Sequence, residues 1–301
     1  MKKTLLTFVA ILSIIFASAC DICGCGVGNI YLGILPQFTH RFVGLRYSYN
    51  SFHTRLTSDP TQFSNDYYQT VELWGGLNLG KKWQVLALVP YNITRQVSDE
   101  GTKHSQGLGD LAVIINYKLL DKSNMTGGKR VFQQLWIGGG VKLPTGKFEI
   151  DNTASDVVAL ANTQLGSGTT DIMLDGMYNL RVNNVGLNTS MSYKINTTNK
   201  QDFKFGNKAT LNTIAYCTLR AGSVGISPNA GLLYEHTAAS ELQSNKVDLT
   251  GGYLLQGSIG TEASFNKIAV GCNIQLPVAQ NFASNQTKER VKGMVHVSFS
   301  F

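Results

Sequence analysis

The stretch RVKGMVHVSFSF, residues 290–301, decides the fold class because it ends the chain on an alternating segment. One face of this segment is apolar and the other is polar: Val291, Val295, Val297, Phe299 and Phe301 against Lys292, His296, Ser298 and Ser300. A period of two residues indicates a β-strand with two different faces. The chain is therefore predicted to close on a strand whose last side chain is aromatic.

Upstream, the same alternation recurs, and about twelve such segments can be marked. They are 41–54, 67–79, 83–96, 108–120, 131–144, 169–182, 185–195, 207–220, 223–237, 249–265, 268–279 and 290–301. Every second joint is expected to be long and polar: 55–66, 97–107, 145–168, 197–206, 238–248 and 280–289. The remaining joints are expected to be tight, at 80–82, 183–184, 221–222 and 266–267, apart from a longer one at 121–130. Alternating long and short joints are typical of a membrane β-barrel.

Composition narrows the class of protein further. Charged residues make up 15% of the 301 residues, against about 25% in an average soluble domain. Only the extreme N-terminus carries an apolar stretch long enough to consider as a membrane helix, so a polytopic helical membrane protein is excluded. The net charge of +7 is spread along the chain without a basic block, which argues against a nucleic-acid partner.

A soluble β-sandwich shares the period of two, but it has no need of long loops at every second joint. We therefore predict an all-β fold, an antiparallel transmembrane β-barrel of about 12 strands in the outer membrane of a Gram-negative bacterium, with 14 strands left open. Both termini are expected on the periplasmic side. The expected partners are outer-membrane lipid and the barrel-assembly machinery, which would read the closing strand ending at Phe301.

The N-terminus is predicted to be an export signal covering residues 1–19. Lys2 and Lys3 form a basic start, residues 5–16 are apolar, and Ala17-Ser18-Ala19 is a small-residue cleavage pattern. Residues 20–39 are predicted to be a cysteine-containing segment that acts as a plug or an anchor. Residues 40–301 are then the barrel.

Three thiols follow the cleavage pattern at CxxCxC spacing, namely Cys20, Cys23 and Cys25. Thiolates favour Cu(I) and Zn, so this cluster is the one place where a metal is expected. A local disulfide is the alternative, because an exported segment meets an oxidising compartment. Lipidation of Cys20 is a further alternative. Cys217 and Cys272 are predicted to be small, outward-facing strand residues.

Two motifs carry a resemblance to a known family. The fourth segment opens with QGLGDL, residues 106–111, and the fifth ends with GGGVKLPTG, residues 138–146. This pair resembles the outer-membrane transporter-like family named for the meta-pathway of phenol degradation. The resemblance implies a barrel of about twelve strands that moves small, often hydrophobic molecules. The cysteine cluster is not part of that family's pattern.

The predicted register also assigns the interior of the barrel. Gly138 and Gly140 should point inward and Gly139 outward, which serves either barrel curvature or a substrate path. The charged residues expected to line the lumen are Arg46, Glu72, Asp110, Lys118, Lys142, Asp171, Asp175, Lys194, Lys208, Arg220, Glu235, Glu262 and Lys292. They would either form a stiffening network of ion pairs or select permeants in a polar channel.

The function predicted from these observations is a channel or transporter for small molecules, with a metal link through the cysteine cluster. The alternative is a structural or metal-binding barrel with a filled lumen. A lipid hydrolase is the rival class, because His296 and Ser298 lie two residues apart on one face. Both would face the lumen near the short-turn end, and no GxSxG or HExxH motif occurs. The chain is therefore not expected to be an enzyme.

Overall fold

The computed structural model describes residues 41–57, 61–99, 101–149 and 161–301. Cys20, Cys23, Cys25 and the predicted signal lie outside these ranges. Strands dominate: β1 (Phe42–Arg55), β2 (Phe63–Leu79), β3 (Trp83–Ser98), β4 (Gly101–Leu108), β5 (Leu111–Thr126), β6 (Lys129–Leu143), β7 (Asp171–Val182), β8 (Val185–Ile195), β9 (Phe203–Lys204), β10 (Lys208–Cys217), β11 (Leu219–Ala221), β12 (Val224–Thr237), β13 (Glu241–Leu242), β14 (Asn245–Lys246), β15 (Gly252–Phe265), β16 (Ile268–Phe282) and β17 (Thr287–Ser300). In the described residues, no helix is long and apolar enough to cross a membrane.

The strands form a closed antiparallel barrel. Neighbouring strands pair in sequence order, β1 pairs with β17, and β10 pairs with both β8 and β12, so the ring has no open edge. Twelve strands make the ring, because β4 continues β5 beyond a break at Gly109-Asp110 and β11 continues β10 beyond Thr218. The predicted fold class and the count of twelve are confirmed.

The two faces of the wall are reversed relative to a soluble barrel. Leu73, Ile115 and Ile259 point outward and are 49%, 49% and 67% exposed. Gln84 and Lys142 point inward and are fully buried. Alternation along each strand puts these two classes on opposite faces, and an apolar exterior is what a lipid-facing barrel requires.

The joints differ from the predicted pattern in four places. The joint predicted at 55–66 shrinks to residues 56–62, between β1 and β2. Residues 97–107 are not a long loop, because β3 and β4 continue as a hairpin with only residues 99–100 between them. Residues 121–130 are not a long turn either. The hairpin of β5 and β6 turns on Gly127 and Gly128, both at positive φ, which a tight two-residue turn requires. The joint at 280–289 shrinks to residues 283–286.

Three long loops remain, and they pack together at one end of the barrel. They join β6 to β7, β8 to β10, and β12 to β15. A small sheet of β9, β13 and β14 links the last two loops. Phe148, Ala161 and Phe203 form a buried apolar cluster that ties the first loop to the others. This end of the barrel is called the loop end below, and the opposite end is called the turn end.

Candidate functional site: the interior of the barrel

The interior is divided into two unlike halves. Strands β1, β2, β3, β5, β6 and β7 carry most of the buried apolar side chains, and nine of these form one continuous cluster. Its members are Phe42, Trp74, Leu86, Leu88, Ala112, Ile114, Trp136, Met173 and Met177. All of them are at most 6% exposed. We call this side of the lumen the apolar half.

The other side of the lumen is polar. Strands β8, β10, β12, β15, β16 and β17 present amides and hydroxyls inward, and these side chains are buried. They include Asn188, Asn212, Asn229, Gln256, Ser258, Asn273, Gln275 and Ser298. We call this side the polar half. Its buried apolar members in the described residues are Ile214, Tyr216, Leu233, Leu254, Ala269 and Phe282.

Several buried polar atoms of the polar half have no hydrogen-bond partner in the described structure. Both amide atoms of Gln256 and of Asn273 are among them, as are Ser258 Oγ and Gln275 Oε1. Such atoms in native proteins are nearly always paired, either with protein groups or with water. The polar half therefore carries buried hydrogen-bonding groups that no atom of the described structure satisfies.

Glycines let large side chains lie against the wall. The Cβ position of Gly44 would lie 2.8 Å from Trp74 Nε1, and that of Gly138 would lie 2.8 Å from Asp175 Oδ1. Gly138 therefore faces inward, whereas the Cβ position of Gly139 meets only Leu174 and the Met173 backbone at 3.6 Å or more. A side chain at Gly44 or Gly138 would push its neighbour into the lumen.

The charges that the sequence assigns to the lumen are mostly brought together in pairs. Arg46 bonds Glu72, and Lys208 Nζ lies 2.8 Å from Glu235 Oε1. Glu262 Oε1 lies 3.1 Å from His296 Nε2. All three pairs are largely buried. In the Arg46–Glu72 and Lys208–Glu235 pairs each charge is compensated where its isolated burial would be costly.

The remaining charges are placed differently. Lys118 lies 2.8 Å from Asp121, a partner that the sequence analysis missed because it treats 121–130 as a joint. Lys194 is buried, and Asp175 and Lys292 are half-buried. Arg220 is exposed, because β11 lies at the open turn end.

The two family-like motifs meet in one buried cluster. Lys142 Nζ lies 2.8 Å from Asp110 Oδ2 and 2.6 Å from Asp171 Oδ2. Lys142 also bonds Ser167, whose backbone N–H donates to Asp110 Oδ2 at 2.8 Å. Thr145 completes the link, since its hydroxyl donates to the Gly109 carbonyl at 2.7 Å. The motifs thus fasten the loop between β6 and β7 to the barrel rim.

Sequence reasoning alone does not find the loop members of this cluster. Ser167 and Thr169 stand among other small polar residues in a long joint, where nothing in their pattern marks them out. In the structure, Thr169 Oγ1 donates to Asp171 Oδ1 at 2.7 Å and is buried. The cluster is enclosed, so it holds the loop rather than contacting a solute.

A second network runs along the turn-end side of the lumen. The guanidinium of Arg46 lies 5.3 Å from the centre of the Trp74 ring, and that ring meets His296 edge-on at 6.0 Å. His296 in turn faces Glu262. Its Nε2 is thus engaged by a carboxylate and not by Ser298, so this arrangement is not a His–Ser dyad.

Among the described strand pairs, the widest gap in backbone pairing lies between β16 and β17. The pairing of β16 with β17 breaks off after Gln275 and resumes at Phe282. Within this gap the Gln280 side chain replaces the missing ladder, since its Nε2 donates to the Glu289 carbonyl at 3.1 Å and its Oε1 accepts from the Glu289 N–H at 2.8 Å. One side-chain amide therefore joins two wall strands.

Metal-binding groups are absent from the interior that the structure describes. No group of three His, Cys, Asp or Glu side chains converges there in a way that could hold an ion. Cys217 is half-buried and Cys272 is exposed, and neither forms a disulfide. The predicted metal ligands Cys20, Cys23 and Cys25 lie outside the described residues.

Comparisons with known proteins bear on the fold. No family model and no curated protein matches the chain. The structure is similar to the crystal structure of an outer membrane channel from Pseudomonas putida F1, with a TM-score of 0.62, 14% identity, and coverage of 91% of this chain and 100% of that chain. The β domain of the Bordetella autotransporter BrkA gives a TM-score of 0.47 at 10% identity, covering 86% of this chain and 99% of that one. The transport unit of AIDA-I from Escherichia coli gives 0.48 at 9% identity, covering 90% and 94%.

Proposed function

We propose that this protein is an outer-membrane channel for small molecules in a Gram-negative bacterium, with its loop end outside the cell and its termini in the periplasm. The apolar exterior supports membrane insertion. On β1, outward positions from Val43 to Tyr49 are apolar or aromatic, and His53 and Arg55 follow. A rise of about 3.3 Å per residue and a tilt of about 40° place Val43 and His53 about 25 Å apart along the axis. That distance matches the height of about 25 Å of the apolar band of outer-membrane barrels.

We also place the chain in the outer-membrane transporter-like family named for the meta-pathway of phenol degradation. Two observations support this assignment. The GLGD and KLPTG motifs supply Asp110 and Lys142 to the same buried cluster, which gives their joint occurrence a structural reason. The fold similarity to the Pseudomonas putida channel extends over that entire chain.

The division of the lumen suggests what passes through it. A solute on the polar half meets amides and hydroxyls that can replace its water, notably Gln256 and Asn273. On the opposite half it meets Trp74, Trp136 and methionines. Such a pair of surfaces suits small amphipathic molecules, because their polar and apolar parts each find a matching wall. The unpartnered amides of the polar half are the observation that carries this proposal.

Single-channel conductance in planar bilayers tests it. The mature chain should give discrete conductance steps, and a Gln256→Leu, Asn273→Leu variant should lower them because it removes hydrogen-bonding groups from the path. Ile274→Leu is the matched control, since Ile274 is 52% exposed on the outer face of the same wall. Absence of steps, even from a chain lacking residues 20–39, would favour the alternative of a barrel with a filled lumen.

The cysteine segment adds a metal link to this proposal. If Cys20, Cys23 and Cys25 capture Cu(I) or Zn beside the periplasmic mouth, reduced protein should take up one ion that a Cys23→Ser, Cys25→Ser variant does not. Mass spectrometry of the mature N-terminus distinguishes a lipid on Cys20, a disulfide and free thiols. Equal uptake of Cu(I) by both proteins would leave the segment as an anchor or a clip.

A further inference from the structure

Positive charge is concentrated at the turn end of the barrel. This end comprises residue 41, the segments 80–82, 118–131, 181–185, 218–224 and 265–268, and the last residues, 299–301. Ten of the 26 Lys and Arg residues lie there: Arg41, Lys81, Lys82, Lys118, Lys122, Lys129, Arg130, Arg181, Arg220 and Lys267. Among the same residues, all within the described ranges, Asp121 is the one acidic side chain. The remainder of the chain after residue 19 holds 14 Lys and Arg against 18 Asp and Glu, so its net charge is negative.

The excess of positive charge at the turn end does not depend on which groups form ion pairs. Asp121 Oδ2 lies 2.8 Å from Lys118 Nζ and neutralises that one cation. The terminal carboxylate of Phe301 belongs to the same end, and residues 20–40, which precede β1, contain a single acid, Asp21. Even if each of these two groups neutralised a further cation, seven positive charges would remain at this end.

The ten cations surround the opening of the barrel, and we call them the basic ring. Each turn contributes to the ring: Lys82 precedes β3, Lys122 lies in the β5–β6 hairpin, Arg181 lies near the end of β7, Arg220 lies in β11, and Lys267 joins β15 to β16. Eight of the ten are exposed. Twelve strands about 4.8 Å apart with a tilt of about 40° give a radius of about 12 Å. The fields of the ring therefore overlap on the axis at low salt, because the Debye length reaches about 30 Å at 0.01 M.

Part of the basic ring lies beyond the reach of lipid headgroups. Trp83 and Tyr117 pack on the outer face with ring centres 4.8 Å apart, as aromatic residues do at the edge of the apolar band. Lys122 follows Tyr117 by five residues along β5, which at about 3.3 Å per residue and a tilt of about 40° is about 13 Å further out. The headgroup layer is only about 5–8 Å thick on each side. Lys129 and Arg130 lie further along the same hairpin, so these cations meet solutes in water and not lipid.

Inside the barrel, by contrast, the cations have acidic neighbours. Arg46 bonds Glu72, Lys208 Nζ lies 2.8 Å from Glu235 Oε1, and Lys292 also has Glu235 among its acidic neighbours. The interior therefore adds no excess of positive charge to that of the basic ring. Cations around the mouth of a pore attract anions and repel other cations.

We propose that the basic ring makes the channel selective for small anions, so that its permeants carry a negative charge beside their polar and apolar parts. The inference rests on the proposed function, because only an open channel can select between ions. In the proposed orientation the ring surrounds the periplasmic mouth, where it raises the local concentration of anions.

The ratio of chloride to potassium permeability, obtained from the reversal potential of the full mature chain in a KCl gradient, tests the selectivity. Planar bilayers of phosphatidylcholine carry no net charge, so the protein alone contributes the field. In a gradient of about 0.1 M against about 0.01 M KCl, chloride should permeate about sevenfold more readily, which corresponds to a potential of about one kT at the mouth. At about 1 M KCl the Debye length falls to about 3 Å, and the ratio should approach one.

A variant with fewer charges at the turn end should lose most of this selectivity. Four exposed cations of the ring are replaced in Lys81→Gln, Lys82→Gln, Arg220→Gln, Lys267→Gln. The permeability ratio should fall to about two- to threefold, since the ring loses about half of its excess charge. The matched control removes four exposed cations from the loop end, as Lys200→Gln, Lys246→Gln, Lys288→Gln, Arg290→Gln. It should keep the ratio of the original chain, although its net charge changes by the same amount.

Three results would overturn the selectivity: a preference for potassium in the original chain, an unchanged ratio in the turn-end variant, or an equal fall in the loop-end control. Heat-modifiable migration shows that each variant is a folded barrel. If the turn-end variant does not fold, Lys81→Gln, Lys267→Gln is measured instead, with an expected ratio of about fourfold. Normal conductance with equal permeation of both ions refutes the selectivity alone, whereas absence of conductance in every chain refutes the channel and the selectivity with it.

Discussion

The apolar and polar halves of the lumen share an exterior of one kind but differ inside. Val71 and Ile115 cover the outside of the apolar half, and Ile259 and Val297 cover the outside of the polar half. Lipid imposes that uniformity, because any charged side chain facing it is costly. The inside has no such constraint. The apolar half packs a core of nine side chains beside buried amides such as Gln84 and Asn116, whereas the polar half is lined mainly by amides and hydroxyls. The pattern of inward residues therefore depends on side-chain packing and on the passage of solutes, whereas the pattern of outward residues depends on the surrounding lipid.

The largest effect on the free energy of unfolding is expected at the buried ion cluster of Lys142, Asp110 and Asp171. Lys142→Ala leaves Asp110 and Asp171 without their cation, and removal of one partner of a buried pair costs about 3–5 kcal/mol. The free energy of unfolding from a urea titration in micelles measures this loss. Lys147→Ala is the control, because its ion pair with Glu149 is 67% and 71% exposed and should contribute less than about 1 kcal/mol. Similar losses in both variants would mean that the cluster is not the fastening point of the loop.

One substitution in each half of the lumen should then distinguish side chains that stabilise the fold from side chains that line the path of a solute. Leu86→Ala removes a 2%-exposed side chain from the apolar cluster and should cost about 2–5 kcal/mol, with conductance retained in the folded fraction. Asn273→Leu replaces a buried amide, neither atom of which has a partner in the described structure. The free energy of unfolding of this variant should change by less than about 1 kcal/mol, because leucine has a similar shape and carries no polar atom that needs a hydrogen-bond partner. Unfolding titrations and conductance measurements on the same samples test this prediction. A larger loss of stability in Asn273→Leu than in Leu86→Ala would contradict the division of the lumen into two halves.

A smaller effect is expected at the gap in pairing between β16 and β17. Gln280→Leu removes both hydrogen bonds to the Glu289 backbone and should cost about 1–3 kcal/mol, since each such bond contributes about 0.5–1.5 kcal/mol. Amide hydrogen exchange should accelerate at Glu289. Gln69→Leu, which removes a single exposed contact with Tyr47, should stay within about 0.5 kcal/mol. Unaltered exchange at Glu289 would show that the two strands are held by other contacts.

Sequence patterns predicted regular strands well and irregular ones poorly. Val185–Ile195 has the predicted bounds to the residue, because it alternates cleanly between turn signals at both ends. The hairpin of β3 and β4 was wrongly predicted to be a loop, since residues 101–107 are polar on both faces and show no period. In the described sheet β4 pairs with β3 alone, because the pairing of β5 with β6 reaches only to Leu111.

The residues of the lumen were likewise predicted well where the strands alternate regularly and poorly where they do not. The inward register of Arg46, Glu72 and Lys142 was derived from alternation, and the structure buries all three. The partners that cross the loop end, Ser167 and Thr169, were not found. Ser167 approaches Asp110 only because the loop folds back over the rim, and a contact between residues 57 positions apart leaves no periodic trace. Thr169 contacts Asp171 from only two residues away, at a position that no alternation marks.

Alternation along the chain is enough to predict most of the strands, their outward faces and their antiparallel order, because lipid selects apolar residues at every second position and tight turns pair each strand with the next. The division of the inside into two halves cannot be predicted in this way. Trp74, Trp136, Gln256 and Asn273 all occupy inward-facing positions of their alternating strands. Which of them become neighbours depends on ring closure, which brings β1 beside β17 and gathers distant strands into two halves. The same closure places Lys288 of β17 opposite His53 of β1, two residues from opposite ends of the barrel sequence.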